Sequence, residues 1–420
     1  MPSLSRLLGL REGELPGVAR LALVYGGIGG ATAIADALVQ AAFLARAGAE
    51  ALPWVLGTRA LLSPALAWLY ARVAHRQSSR GVLAVLAVLA AATSVGARYA
   101  IEAGAVGAIG AYAAHEVITG LLALHWGVYL LDHVEHDAAR RAVAPIYAAA
   151  RGTAALGGVA VGLLVPTFSV GGGLWIAAAA FLVVAPCAFV PERRPEPERA
   201  SVRPPDVPSL PLRRGWALLR SSKLLVAIAV ATVVMVVVRV TLRYGHQAVL
   251  DAYPEEVLAP LLGWYVAGAN VLSVVLQLGL TSRLLERLGV GATNLLYAWA
   301  TLITQVLLLV SRQGSLVVAF GARFAEGELK HALKTPVSPL FYEAFWGADR
   351  VRARAFVLGV VSPIAQVVAA GTLGLLVAGP EGSVAWAGTC AAVIYVAASF
   401  VQSRAHRQAM VRLPSKSAKL

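Results

Sequence analysis

Charge is what this chain has least of. Asp, Glu, Lys and Arg together make up 14% of its 420 residues, where an ordinary soluble domain carries about 25%. So small a charged fraction excludes a soluble globular class. Cysteine is scarcer still. Cys187 and Cys390 are the only two, and both sit inside apolar runs, so no disulfide framework and no thiolate metal site is expected. No block of five or more like charges occurs, which argues against a nucleic-acid arm despite a formal net charge of +14 and a pI near 10.2.

What the chain has in excess is apolar length. It is 58% hydrophobic, with a mean hydropathy of +0.71. About 20 apolar residues cross a bilayer as a helix, and twelve segments reach that length or come close to it. They cover residues 17–45, 51–72, 81–100, 105–131, 142–165, 171–191, 223–249, 256–281, 291–311, 314–335, 354–378 and 383–403. The first is too long for a signal-peptide core and is expected to be retained. The predicted fold class is therefore an all-α polytopic membrane protein with about 12 transmembrane helices.

Basic residues alternate from one side to the other. Arg6, Arg11 and Arg20, then Arg72, Arg76 and Arg80, then Arg140 and Arg141 fall in every second connection. So do Arg283 and Arg287, Arg350 and Arg352, and the tail from Arg404 to Lys419. The intervening connections hold little more than Arg46, Arg98, Arg243 and Arg312. This positive-inside bias places both termini in the cytoplasm, and the expected location is a bacterial cytoplasmic (inner) membrane.

The one long polar interruption, rich in proline and arginine, separates two halves. The expected organisation is a six-helix bundle over 1–191, a cytoplasmic tether over 192–222, a second six-helix bundle over 223–403 and a basic tail over 404–420. The halves look weakly alike. Arg72–Arg76 has a counterpart in Arg283–Arg287, and Pro145-Ile146 in the fifth segment matches Pro363-Ile364 in the eleventh. Parallel repeats of this kind relate the two pseudo-symmetric halves of major facilitator transporters. The glycine clusters Gly26–Gly30 and Gly157-Gly158 with Gly162 lack the strand-to-helix setting and Gly-Lys-Ser/Thr ending of a phosphate loop, and fit close helix packing.

Ionisable residues inside the apolar segments recur every third helix: Asp36; His115 and Glu116; Arg239 and Arg243; then Arg323, Glu326, Lys330 and Lys334. A charge in hydrocarbon costs about 2.5–3.5 kcal/mol on insertion scales and so faces protein or water. Their recurrence is expected of a shared polar cavity. At about 100° per residue, Glu326, Lys330 and Lys334 fall within about 60° of Arg323 on one helical face. The reading assigns Arg239, Arg243, Arg323, Lys330 and Lys334 to a bound anion, since guanidinium and ammonium groups suit carboxylate or phosphate. Asp36, His115, Glu116 and Glu326 are candidates for charge balance or proton coupling, and Arg59 and Arg151 for a cavity or gate. Asp36 and Glu116 are alternatively fixed partners of Arg59, Arg151 or Arg239. No catalytic residue, metal or cofactor is expected, because no nucleophile–base pair or ligand spacing is present.

The stretch from Arg323 to Glu343, with Arg350-Val-Arg-Ala-Arg-Ala, Val360-Val-Ser-Pro-Ile-Ala, Trp126-Gly-Val-Tyr-Leu-Leu-Asp and Asp137-Ala-Ala-Arg-Arg, resembles the ATP/ADP translocase (nucleotide transport protein) family of bacteria and plastids. These segments cover about a fifth of the chain. The resemblance implies a major-facilitator-like fold and exchange of nucleotides across a membrane. The loop signature common among major facilitators, Gly-x-x-x-Asp-Arg-x-Gly-Arg, is replaced by Tyr70-Ala-Arg-Val-Ala-His-Arg-Gln. The expected function is a secondary active transporter, antiporter-like, moving an organic anion such as a nucleotide or other phosphate-bearing metabolite by alternating access. A transporter-like membrane sensor, scaffold or lipid-handling protein is the alternative. Expected partners are the lipid bilayer and a small anionic solute, with no nucleic acid, and the expected oligomeric state is a monomer.

Overall fold

The computed structural model describes residues 10–11, 13–74, 77–134, 136–190, 212–277, 282–311, 314–345 and 347–411. The proline-rich tether and the extreme tail, named above, lie mostly or wholly outside these residues.

The described chain is helical throughout. Helices α1 (Leu15–Ala47), α2 (Leu52–Ala74), α3 (Ser79–Ala100) and α4 (Ala105–His133) come first. One stretch, His136–Cys187, then forms two helices, α5 (136–168) and α6 (170–187), divided at Ser169. After a short helix α7 (Leu212–Ser221) follow α8 (Lys223–Leu250), α9 (Glu255–Leu276), α10 (Ser282–Val310) and α11 (Leu316–Glu326). The last two crossings are α12 (Gly347–Phe356) continuing as α13 (Ser362–Val377), and α14 (Ser383–Val411). Among the described residues, nine helices meet length and hydropathy requirements for a membrane span on their own. The fuller set of about twelve crossings follows because His136–Cys187 holds two, α2 carries Arg59 and Arg72, and the tenth crossing is interrupted after Glu326.

Large apolar side chains turned outward, such as Val106, Val317 and Leu375 at 80% exposure or more, fit a hydrocarbon solvent. Among the ionisable residues singled out inside the spans, His115 and Lys334 are buried, and Asp36, Arg59, Glu116, Arg239 and Glu326 are at most 34% exposed, in keeping with the cost of showing charge to lipid.

The chain divides into two compact units. One holds the described residues of 1–200 with Asp251–Val274, and the other those of 201–250 and 275–420. In the first unit Tyr25 stacks on Trp126 with ring centroids 4.2 Å apart, and Leu83, Tyr129, Ile146 and Phe181 belong to the same apolar core. Glycine lets backbones meet there. A Cβ on Gly158 would stand 2.5 Å from the Gly263 carbonyl oxygen, and one on Gly157 2.7 Å from that of Gly30. The glycine clusters therefore pack α1 against α5 and α5 against α9. In the second unit Tyr297, Leu308, Ala322 and Tyr395 are buried together between α8, α10, α11 and α14.

Three local irregularities shape the second unit. Gly289 takes φ 75° and breaks α10 near its start, a backbone conformation that only glycine adopts cheaply. A π-helical turn, Lys330–Lys334, follows the end of α11, and a second, Val357–Val361, precedes Pro363. Pro336 and Pro339 lie where the first of these passes into a 3-10 turn. Pro145, by contrast, sits within helix α5, and the break in that stretch falls at Ser169.

Candidate functional site

Each unit carries its own set of ionic groups. In the second, Ser315 caps α11 by accepting a hydrogen bond from the Val318 N–H at 3.4 Å, and α11 then delivers Arg323 and Glu326 toward α8. Arg239 on α8 donates through Nη2 to the Glu326 carboxylate and through Nε to the Glu326 main-chain oxygen at 3.2 Å. Arg323 Nη1 lies 3.4 Å from Nε2 of His246, two turns along α8 from Arg239. Arg243 and Lys330 stand close enough to act on the Glu326 carboxylate through their field. One carboxylate is thus surrounded by several cations, and its side chain and that of Arg239 remain 16% and 28% exposed.

The tenth crossing does not keep a single charged face. The α-helix ends at Glu326, Gly327 departs from ideal dihedrals, and the π turn alters the angular step over Lys330–Lys334. Arg323 and Glu326 consequently meet α8, while Lys334 is 7% exposed and donates to Asn294 Oδ1 on α10 at 2.6 Å. Its ammonium lies 5.8 Å from the Phe341 ring centre and 5.9 Å from that of Tyr395. The uniform-helix expectation fails because it assumes a constant rotation per residue.

In the first unit Arg59 of α2 donates to the Glu116 carboxylate of α4. His115 Nε2 is 3.8 Å from Asp36 Oδ1 on α1, with the histidine 3% exposed and the aspartate 29%. Arg151 of α5 donates to Asn270 Oδ1 of α9 at 3.0 Å, and the Asn270 amide donates in turn to the Val266 carbonyl at 2.8 Å. All eleven residues singled out by sequence are placed. Arg239, Glu326, Arg243, Lys330 and Arg323 come together, Arg59 meets Glu116, and Asp36 meets His115.

Sequence reasoning gave no role to Asn270, Asn294 or Tyr297, which hold or border these groups. Uncharged polar residues in an apolar helix cost less than charges and leave a weaker trace. A separate cavity of about 460 Å³ in the first unit is lined by Arg46, Arg98, Glu102, Ser169 and Glu255 among others. Its two guanidiniums are already paired, Arg46 with Glu255 and Arg98 with Glu102, and it contains none of the residues singled out.

The fold is similar to that of several solved transporters. The nucleoside transporter NupG superposes with a TM-score of 0.65 at 14% identity, over 94% of this chain and 99% of that one. A D-xylose-proton symporter gives 0.61 at 14% identity, over 94% and 97%. The peptide transporter POT in complex with sulfate gives 0.61 at 13% identity, over 93% and 95%. No protein-family model matches the sequence, and comparison with curated proteins finds no match. The resemblance to the nucleotide-exchanging family therefore has no support from sequence comparison, and the coarser conclusion is the one that stands: an all-α polytopic membrane protein of the major facilitator fold.

Proposed function

We propose that the protein is a secondary transporter that carries an organic anion by alternating access. The observation that carries this reading is the Arg239–Glu326 pair. A partly solvated carboxylate lies within reach of more positive charge than it can neutralise. An entering carboxylate or phosphate competes with Glu326 for Arg239, and Arg243, Arg323 and Lys330 add attraction without requiring new charge to be buried. Glu326 then serves as the counter-ion of the empty site. Its release from Arg239 supplies the differential contact a ligand needs to shift a conformational equilibrium. Arg59–Glu116 and Asp36–His115 hold the corresponding helices of the first unit, and Asp36 is the carboxyl best placed to exchange a proton with its histidine neighbour.

On this reading the chain sits in a bacterial inner membrane with both termini cytoplasmic, as the arginine-rich connections favour. Residues 192–222 tether two six-helix bundles, and the protein works as a monomer. A nucleotide is one member of the cargo class, and other organic phosphates and dicarboxylates are the rest. The test is uptake into proteoliposomes of labelled nucleotides, sugar phosphates and dicarboxylates, with and without a pH gradient. Uptake of at least one anion class that collapses in Arg239→Ala supports the assignment. Undiminished uptake in that variant refutes it.

A further inference from the structure

The seam between α10 and α14 in the second unit contains an unusual concentration of buried polar atoms that have no hydrogen-bond partner. They are Asn294 Nδ2 and the Tyr297 hydroxyl on α10, and the Tyr395 hydroxyl, Ser399 Oγ, Gln402 Oε1 and His406 Nε2 on α14. Asn294, Tyr297, Tyr395 and Ser399 are each 0% exposed. Buried polar groups are nearly always satisfied, so several orphans in one seam ask for a common explanation. On α14 they recur at spacings of three and four residues and so share a face; Asn294 and Tyr297 do the same on α10. The Tyr297 and Tyr395 rings meet edge to face with centroids 6.2 Å apart.

Lys334 enters the same seam. Its ammonium donates to Asn294 Oδ1 at 2.6 Å and lies near the Phe341 and Tyr395 rings. Among the described residues no carboxylate pairs with it. An amide oxygen and two aromatic faces leave a buried ammonium under-compensated, because desolvation removes more than they return. Four of the orphans in the seam share one capacity. The Asn294 amide and the Tyr297, Tyr395 and Ser399 hydroxyls can all donate, and Lys334 has further N–H groups to give. The hydroxyls can accept as well, but only an acceptor that donates nothing in return takes a hydrogen bond from all four groups and offsets the ammonium charge, and a single anion meets both needs.

We propose that this seam binds one small monovalent anion of halide size, held by Lys334 Nζ and by the hydroxyls of Tyr395 and Ser399, with Asn294 and Tyr297 closing the shell. One ammonium matches one negative charge, and hydroxyls beside aromatic rings suit a weakly hydrated ion better than a polyvalent one. Gln402 and His406 continue the polar face toward the C-terminal end of α14, where His406 packs against Phe341 at 5.1 Å between ring centres. Being acceptors at those atoms, they fit water along an entry path and not the ion itself. The bound ion seats Lys334 and with it the π turn that leads the chain out of α11. This site adjoins the Arg239–Glu326 cluster, whose charges act on the Tyr297 and Tyr395 hydroxyls, but its cation is Lys334 and it does not depend on the transport reading.

The experiment uses the purified full chain in detergent, with sodium gluconate exchanged for sodium bromide at constant ionic strength and unfolding followed by tryptophan fluorescence. A ligand that binds only the folded state raises the melting temperature by mass action, so the expected result is a saturable upward shift of several degrees. Lys334→Met abolishes the shift. Tyr395→Phe combined with Ser399→Ala retains the fold if Lys334→Met does not, and raises the half-saturating bromide concentration by roughly tenfold or more through two lost hydrogen bonds. Anomalous scattering from bromide in crystals then places the ion beside Lys334. Equal melting temperatures in both salts, a Lys334→Met protein that responds like the parent, or density for water alone in the seam would each overturn the proposal. Anion uptake is measured separately, so its failure and the failure of this site are distinguishable.

Discussion

Arg239 holds Glu326 twice, through its carboxylate and through its main-chain oxygen at 3.2 Å. One guanidinium thereby fixes both the side chain at the end of α11 and the backbone where that helix stops. The same contact neutralises a carboxylate inside the second unit and anchors the irregular segment that follows.

Removing one member of this pair leaves the other exposed to the cost of an uncompensated charge. Glu326→Gln is expected to destabilise the protein by about 2–3 kcal/mol, below the 3–5 of a fully buried pair because both groups keep some solvent contact. The double variant Arg239→Gln with Glu326→Gln recovers part of that loss. Thermal unfolding of the four proteins as a double-mutant cycle gives the coupling, expected at roughly 1–3 kcal/mol. Independent, additive losses would show that the pair is not a unit.

Acid should weaken the entry of the chain into the first unit. The Glu14 carboxyl is held down to about 2 by its hydrogen bond with Arg141, helped by the Arg11 backbone N–H at 2.9 Å. In the unfolded chain it titrates at its ordinary 4.5. Its stabilising contribution is therefore complete above that value and disappears as pH falls from there toward 2. Melting temperatures between about pH 5 and pH 3 should fall less steeply in Glu14→Gln than in the parent. Parallel slopes would remove Glu14 from the account.

The contact between α5 and α9 leaves no room for a side chain at Gly158. A Cβ there would meet the Gly263 carbonyl oxygen at 2.5 Å and the Ala267 nitrogen at 2.6 Å, both of them backbone. Gly158→Ala should cost about 1–3 kcal/mol through forced separation of the helices. Gly57→Ala, where nothing stands within 4 Å, is the control and should match or slightly exceed the parent in stability. Thermal unfolding distinguishes the two.

Ser169 takes φ 61° and ψ 170°, a region that only glycine occupies without strain. Ser169→Gly should raise stability by about 1 kcal/mol despite loss of the long 3.5 Å contact between the serine oxygen and the Gly172 N–H. A fall in melting temperature on this substitution would show that the serine side chain outweighs the relief.

Much of the fold was legible because membrane insertion is a blunt filter. Residues 223–249 and 105–131 announce themselves by apolar length, and the helices there begin and end within a few residues of that reading. The glycine clusters were legible as packing surfaces for the same reason, since an apolar helix has little other use for them. The charged residues were legible as individuals, because each one is an exception to its surroundings. Their partners were not. Nothing in the sequence says that Glu116 takes Arg59, or that Arg151 takes the neutral Asn270. Those choices depend on which helices adjoin and at what height.

The face shared by Arg323, Glu326, Lys330 and Lys334 marks the boundary most clearly. Helical arithmetic puts all four together, yet the chain leaves α-helical geometry after Glu326 and sends Lys334 to Asn294. By itself, the sequence determined that this is a polytopic membrane protein with its charges turned inward, because hydrocarbon tolerates neither bare backbone nor bare charge. Only the tertiary structure decided which charges neutralise one another and which polar atoms are left over. That outcome rests on where the chain leaves α-helical geometry, as at the π turn Lys330–Lys334, and on which helices adjoin, and both are settled by packing that no local pattern encodes.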